Sequence, residues 1–364
     1  MKKFETLDDC RKRINEIDDA LFDLINERGN VAHEVGRIKG ETGLKTYHIP
    51  ERENAIIQRL INKNNGPYKD EHIETIFNEL FSATLALEKP LSVAYLGPKW
   101  TYSYQATVKE LGSSADLLPC NTIVDVFQAV EKGIADYGMV PIENSIHGSV
   151  LVTLDQLINT NLKIISERSI RISHMLLSSE TDLANITAVY SHEQPLAQCS
   201  HWLKEHLPNA TLKSVSSTAA AAKTVKDTPG TAAIGSEELG NANGLNILAR
   251  HVEDHPNNYT RFFLMGHKSV EKTDNAKTSI IVTIEDKTGA LYELLKAFAA
   301  ENISLTKIES RPIKGDTWKY CFFIDFLEHI ESEVAQRAMK NLQGQGASIK
   351  ILGSYLAGCK QKID

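Results

Sequence analysis

The spacing of apolar residues changes character twice along the chain. Between residues 5 and 88 it follows helical periods. Two rows at seven-residue intervals run through the first stretch: Leu7, Ile14, Leu21, Arg28, Val35 and Cys10, Ile17, Leu24, Val31, Ile38. A double row of this kind is a helix-packing seam. A second helix is expected to begin at Pro50, a residue favoured in a first helical turn. A third runs from about Asp70 to Glu88, with Ile73, Phe77, Leu80 and Phe81 as its stripe and Thr84 and Glu88 where that stripe should continue. From residue 92 to about 268, short apolar runs alternate with helical stretches, an α/β texture. The polar segment 267–277 reads as a linker. After it, strand, helix, two strands, helix, strand fits a ferredoxin-like βαββαβ unit. The expected domains are 1–90, 91–268 and 277–357.

Charge within the helical seam changes the picture. Arg28 interrupts an apolar row, and such a charge is costly unless paired. Either it meets a structural carboxylate or it waits for an anion. Lys39 lies three turns on, about 16 Å along the axis. Together the two could grip a small dianion. Arg11 shares an edge with Lys39 but is about 25 Å from Arg28 on one straight helix, so it could join the same site only from another chain. A helix this long cannot fold back into a compact monomer within some 90 residues. Both considerations predict an all-α, three-helix intertwined dimer. Arg52 and Glu53 sit in the first turn of the second helix. Thr84 and Glu88 are either a fraying end near Pro90 or polar groups facing the cations.

The middle segment offers strand-to-polar-turn joints instead of charge: GPKWTYSYQA (97–106) with Thr101, PIENS (141–145) with Asn144 and Ser145, VYSHEQPLAQC (189–199), SSTAAAA (216–222) with Ser217 and Thr218, and YTRFF (259–263) with Thr260 and Arg261. Polar groups at strand ends are where α/β folds keep their sites, and several such joints predict a cleft between two lobes. Each could also be a plain helix cap. Arg261, beside an apolar run, needs a carboxylate or an anionic ligand. The histidines at 192, 201, 206, 251 and 255 lack metal-ligand spacing, so no metal and no cofactor are expected.

Composition narrows the class. A length of 364 argues for two or three domains. The net charge of -7 disfavours nucleic acid or an anionic membrane as partner. No apolar run is long enough to span a bilayer, and the start lacks a secretory pattern. Five widely spaced cysteines without C-x-x-C read as reduced thiols, hence a cytoplasmic protein.

The motifs then carry resemblances. CRKRINEIDDAL, INERGNVAHEVGRIK, IPERE and FNELFSATLALE resemble the all-helical chorismate mutases over nearly all of the first 90 residues. This implies that Arg11, Arg28, Lys39 and Arg52 bind the carboxylates and ether oxygen of chorismate, with Glu53 on its hydroxyl and Thr84 and Glu88 beside the cations. Many members of that family carry Gln at position 88 and Asp at position 49, where this chain has Glu88 and Ile49. PIENS, YSHEQPLAQC, SSTAAAA, AAIGSE and YTRFF resemble prephenate dehydratase over about 175 residues. Thr260 is then the implied donor to the leaving hydroxyl of prephenate, with Thr101, Asn144, Ser145, Ser217, Thr218 and Arg261 orienting or balancing the dianion. Trp100 stands where members usually have Gly. The last segment resembles an ACT domain of phenylalanine-regulated dehydratases through TGAL and ESRP. That implies a phenylalanine site built from Gly289, Ala290 and Leu291 with Glu309, Ser310, Arg311 and Pro312 of another subunit, and hence a homo-oligomer. Three other readings compete: a non-enzymatic amino-acid sensor, a helical segment that only dimerises, and a dehydrogenase. The last lacks any G-x-G-x-x-G after a strand.

Overall fold

The computed structural model describes Phe4 and residues 6–42, 50–268, 272, 275–285, 287–312 and 320–357. Ile49 lies outside these residues. The chain forms two compact units. One comprises the residues up to Leu91 with Leu111–Asp116, the other Ser92–Glu110 with the residues from Leu117 on.

The first unit holds α1 (Leu7–Glu41), α2 (Pro50–Lys63) and α3 (Asp70–Glu88). Thr6 starts α1 with a capping box: its hydroxyl accepts from the Asp9 amide, and the Asp9 carboxylate accepts from the Thr6 amide. The buried core is small, drawn from Ala32, Ile57, Phe81 and Leu85. Gly36 sets the approach of α1 to α3, because a Cβ there would lie 2.9 Å from the Glu88 Cα. Leu7, Ile14, Leu21, Leu24 and Val31 of the seam remain at least half exposed.

The second unit runs β1 (Ser92–Leu96), α4 (Tyr102–Leu111), β2 (Asp116–Cys120), α5 (Ile123–Glu131), β3 (Tyr137–Asn144), β4 (Gly148–Ser149), α6 (Leu151–Asn159) and β5 (Lys163–Arg171). It continues with β6 (Met175–Ser178), β7 (Ala188–Ser191), α7 (Glu193–Gln198), α8 (Ser200–His206), β8 (Thr211–Ser214), α9 (Thr218–Lys226), β9 (Thr231–Gly235), α10 (Glu237–Asn243), β10 (Asn246–Ala249) and β11 (Tyr259–Gly266). The order β2-β1-β3-β11-β5, with β4 on β3, makes one lobe, and β10-β6-β9-β7-β8 the other. The chain crosses between lobes twice, at 172–174 and before β11. The crossings are tied by Ile172 N–H to Asn258 C=O, Val252 N–H to His174 C=O, and His174 N–H to the buried Glu253 carboxylate.

The chain ends in β12 (Ala276–Ile284), α11 (Ala290–Ala299), β13 (Leu305–Pro312), β14 (Tyr320–Leu327), α12 (Glu333–Gly344) and β15 (Ser348–Leu356), with sheet order β13-β14-β12-β15. Ala276 and Lys277, expected in the linker, already belong to β12. One face of this sheet packs Ile280, Val282, Ile324 and Phe326 against Leu294 and Phe298 of α11 and Leu342 of α12. The other face sends Ile281, Phe323 and Leu352 into the first lobe's core with Val140, Leu154, Ile164 and Phe263. Gly353 permits that contact, because a Cβ would fall 2.3 Å from the Ile164 carbonyl oxygen. The third stretch therefore reads as separate in sequence but shares a core with the second.

Candidate active sites

The helical unit forms an open cavity of about 310 Å³ lined by Arg28, Lys39, Arg52, Glu53, Thr84 and Glu88, with Val31, Val35, Ile56 and Phe81 among the apolar walls. Arg28 donates to the Thr84 hydroxyl and lies 5.3 Å from the centre of the Phe81 ring. Lys39 Nζ donates to Glu88 Oε2 at 2.8 Å, with both side chains largely buried. Burial pulls the Arg28 guanidinium below the ordinary arginine range, against the raising effect of Glu53 and Glu88. Arg11 does not reach this cavity within its own chain; it is exposed and pairs with Asp8 at 3.3 Å. The three lining arginine and lysine side chains outnumber the two carboxylates by one.

Between the lobes the decisive pair is Asn144 and Thr260, opposite each other on β3 and β11. The Asn144 carbonyl oxygen accepts from the Ile146 and His147 amides at 3.0 Å each. Its NH₂ is thereby turned to Thr260 Oγ1 at 3.0 Å and Asn258 Oδ1 at 2.7 Å. Since the Thr260 oxygen accepts, its own proton is free to donate elsewhere. Ser145 serves the loop: its hydroxyl donates to Asn257 C=O and accepts from Tyr259 N–H. Thr101 and Ser217 act as caps, accepting from the amides of Tyr104 and Ala220, and Thr218 begins α9. Arg261 is not brought to this cluster. Strand alternation turns it to the opposite face, where Glu167 and Asp325 lie at 2.6 and 2.7 Å. Of the two partners sequence left open for it, the structure supplies carboxylates.

At the last sheet, Gly289 opens α11 with a left-handed φ of 84° that favours glycine. Ala290 N–H is bonded to Lys287 C=O, and Leu291 is exposed. Along β13, Glu309 accepts from Ser149 and Arg311 donates to Asp155, whereas Ser310 and Pro312 stay exposed.

Family models match for chorismate mutase type II over residues 10–89, prephenate dehydratase over 93–270 and the ACT domain over 278–344. A bifunctional chorismate mutase/prephenate dehydratase from Aquifex aeolicus is 41% identical, covering 96% of this chain and 98% of that one. The chain belongs to the bifunctional chorismate mutase/prephenate dehydratases. The one from Escherichia coli K12 is 34% identical over 95% of both chains. A prephenate dehydratase from Arthrobacter aurescens, solved in complex with L-Phe, superposes with a TM-score of 0.68 at 36% identity, covering 74% of this chain and 91% of that one.

Within the dehydratase lobes, one residue escaped the sequence reading and another, Trp100, marked there only as a departure, gains a structural account. Gln198, at the end of α7, lies 2.9 Å from His147 Nε2 through its NH₂ and 2.8 Å from His174 Nε2 through its oxygen. One self-consistent assignment has His174 donating from Nε2 and Gln198 donating to His147. Gln198 stands within the noted YSHEQPLAQC phrase, but nothing in the phrase marks it above its polar neighbours. Trp100 takes a left-handed φ of 74°, a conformation that costs a bulky residue about 1–2 kcal/mol. Its ring packs on the second lobe's cluster of Met175, Leu177 and Leu239, with Tyr104 at 4.9 Å and Lys99 Nζ at 4.7 Å. That packing across the cleft offsets the strain. A glycine in this position would accept the same φ without bridging the lobes.

His174 gives a pH signature. Burial lowers its pKa below the ordinary 6.5, against the raising effects of Gln198 and Glu253. The unfolded chain therefore takes up a proton near pH 6.5 that the native chain refuses, so stability is present above that pH and lost as pH falls through it. Thermal unfolding followed from pH 7.5 to 5.5 should show a steeper loss for the parent than for His174→Gln, about 2–4 °C for each kcal/mol of linkage. Equal slopes would remove His174 as the source.

Proposed function

We propose that the helical unit converts chorismate to prephenate, and that the cleft around Thr260 dehydrates and decarboxylates prephenate to phenylpyruvate. The observation carrying the first step is the cavity's charge. One excess cation becomes one excess anion when a dianion enters, and Arg11 from a second copy would restore neutrality. The exposed apolar rows of α1 supply a surface for that copy, which supports an intertwined homodimer. The rearrangement needs no covalent step. Arg28, Lys39 and Arg52 would hold the reactive conformer and stabilise charge on the departing ether oxygen, with Glu53 on the hydroxyl. Glu88 works against this in its ionised form. As a carboxylate it holds Lys39 and cannot donate to an ether oxygen; protonated, it can.

In the cleft, aromatisation drives the loss of hydroxyl and CO₂, so a placed donor suffices. Asn144 directs the free Thr260 proton toward a leaving hydroxyl, and the cap amides at 101–103 and around Ser217 and Thr218 would orient the carboxylates. The ACT sheet, with Gly289–Leu291 and the open face of Ser310 and Pro312, is the proposed phenylalanine site between subunits, through which phenylalanine restrains dehydration. The location proposed for this biosynthetic chain is the cytoplasm. Among the described residues no helix is long and apolar enough to cross a membrane.

Purified protein given chorismate should yield prephenate and then phenylpyruvate, and Thr260→Val should stop at prephenate with dehydration down by about 10²-fold or more. Unimpaired dehydration in a folded Thr260→Val protein refutes the donor role. For the mutase, Glu88→Gln should raise the rate at pH 8 and flatten the pH–rate profile. Profiles that superimpose would rule out Glu88 as the source of any acid preference.

A further inference from the structure

The face of β3 and β11 turned away from the cleft carries a second pair. In the same register that sets Thr260 opposite Asn144, Arg261 stands opposite Glu143. These two residues meet side chains from three strands of the ACT sheet and reach the fourth through shared partners. Asp325 of β14 lies 2.7 Å from Arg261, and Lys307 of β13 lies 2.8 Å from Glu143. Tyr355 of β15 accepts from Arg261 at 3.1 Å and shares a hydrogen bond with Ser279 of β12 at 2.7 Å. Ser279 in turn donates to Asp325 at 2.5 Å. Lys277 of β12 reaches Glu167, the other carboxylate on Arg261. Three cations and three carboxylates thus balance in a cluster whose members, apart from the half-exposed Glu143, are mostly buried. Burial opposes the charge on Arg261, yet the Asp325 and Glu167 carboxylates hold it above the ordinary arginine range.

Packed ionic networks have few alternative arrangements, so they fix the backbone that carries them. Here that backbone is one peptide away from Thr260 on one strand and from Asn144 on the other. A shift of Arg261 by a fraction of an ångström turns the β11 peptide plane and moves the Thr260 hydroxyl with it. Near-attack geometry is sensitive on that scale.

We infer that Asp325 is a positioning residue for dehydration: from the ACT sheet it fixes Arg261, and through that strand the donor angle of Thr260. The ACT sheet is then part of the support of the dehydratase site, and any ligand that displaces it acts on the reacting hydroxyl by this route. The inference rests on the donor role of Thr260 proposed above. It also explains why Arg261 neighbours the reacting threonine without facing the cleft.

The test uses the full chain and steady-state dehydration of prephenate, with chorismate rearrangement as a control for the helical unit and near-ultraviolet circular dichroism for the fold. Asp325→Asn should lower kcat at least tenfold and leave KM within threefold. Lys277→Met removes a charge of similar burial from the same cluster but touches neither Arg261 nor Glu143. It should lower the unfolding temperature and leave kcat within twofold. If Asp325→Asn does not fold, Asp325→Glu, which keeps the charge but displaces it by a methylene, should show the same kcat loss. The inference is overturned if the folded Asp325 variant keeps kcat within twofold, or if Lys277→Met lowers kcat as much. Thr260→Val measured in parallel separates the two failures. Normal dehydration there removes the donor role itself, whereas a dead Thr260→Val beside a fully active Asp325 variant removes only the support.

Discussion

The register of β3 against β11 constrains everything functional in the larger unit. Antiparallel pairing puts Thr260 opposite Asn144 and Arg261 opposite Glu143, and alternation sends the first pair into the cleft and the second into the ACT sheet. A slip of one residue would exchange the two faces. It would bury Asn144 and Thr260 against the ACT sheet and turn a buried arginine into the cleft. The apolar residues further along β11 help hold the register, because Phe263 and Met265 point into the core that both sheets share. The site is therefore as secure as the core beneath it.

The two chemistries use opposite electrostatic strategies. The helical unit's cavity concentrates full charges in a small volume and leaves one cation in excess. The dehydratase cluster holds neutral donors, an amide aimed by two backbone N–H groups and a hydroxyl aimed by that amide, and keeps its charges on the far side of the sheet. A pericyclic step with a developing oxyanion profits from cations. Loss of a hydroxyl from a substrate that aromatises profits from a proton held in place. Arg11 stays outside the helical unit's cavity, and the apolar seam of α1 is open.

Much of this was legible in the residues. Pro50 marked the start of α2, the apolar stripe bounded α3, and the run of the last segment carried its strand–helix order. Arg28 in the apolar seam, with Thr84 and Glu88 ending a stripe, stood out as candidates, and all three line the cavity. Arg261 shows where legibility ended: sequence says that a buried arginine needs a partner, but only the fold says that Asp325, 64 positions away in the chain, supplies it. Gln198 was hidden for a related reason, because its two histidine partners come from other segments of the chain. Trp100 was visible as an anomaly, yet its cost and its compensation both depend on a φ angle and on an apolar cluster in the other lobe. Local periodicity is written in neighbours along the chain; a long-range ion pair or amide relay is not.

Hydrogen exchange of the full chain with and without saturating phenylalanine tests most directly whether the ACT sheet and the cleft share one strand pair. We expect altered protection at residues 143–145 and 258–262 along with 287–312, and no change along α1. A change confined to 287–312, with β3 and β11 unmoved, would contradict the coupling.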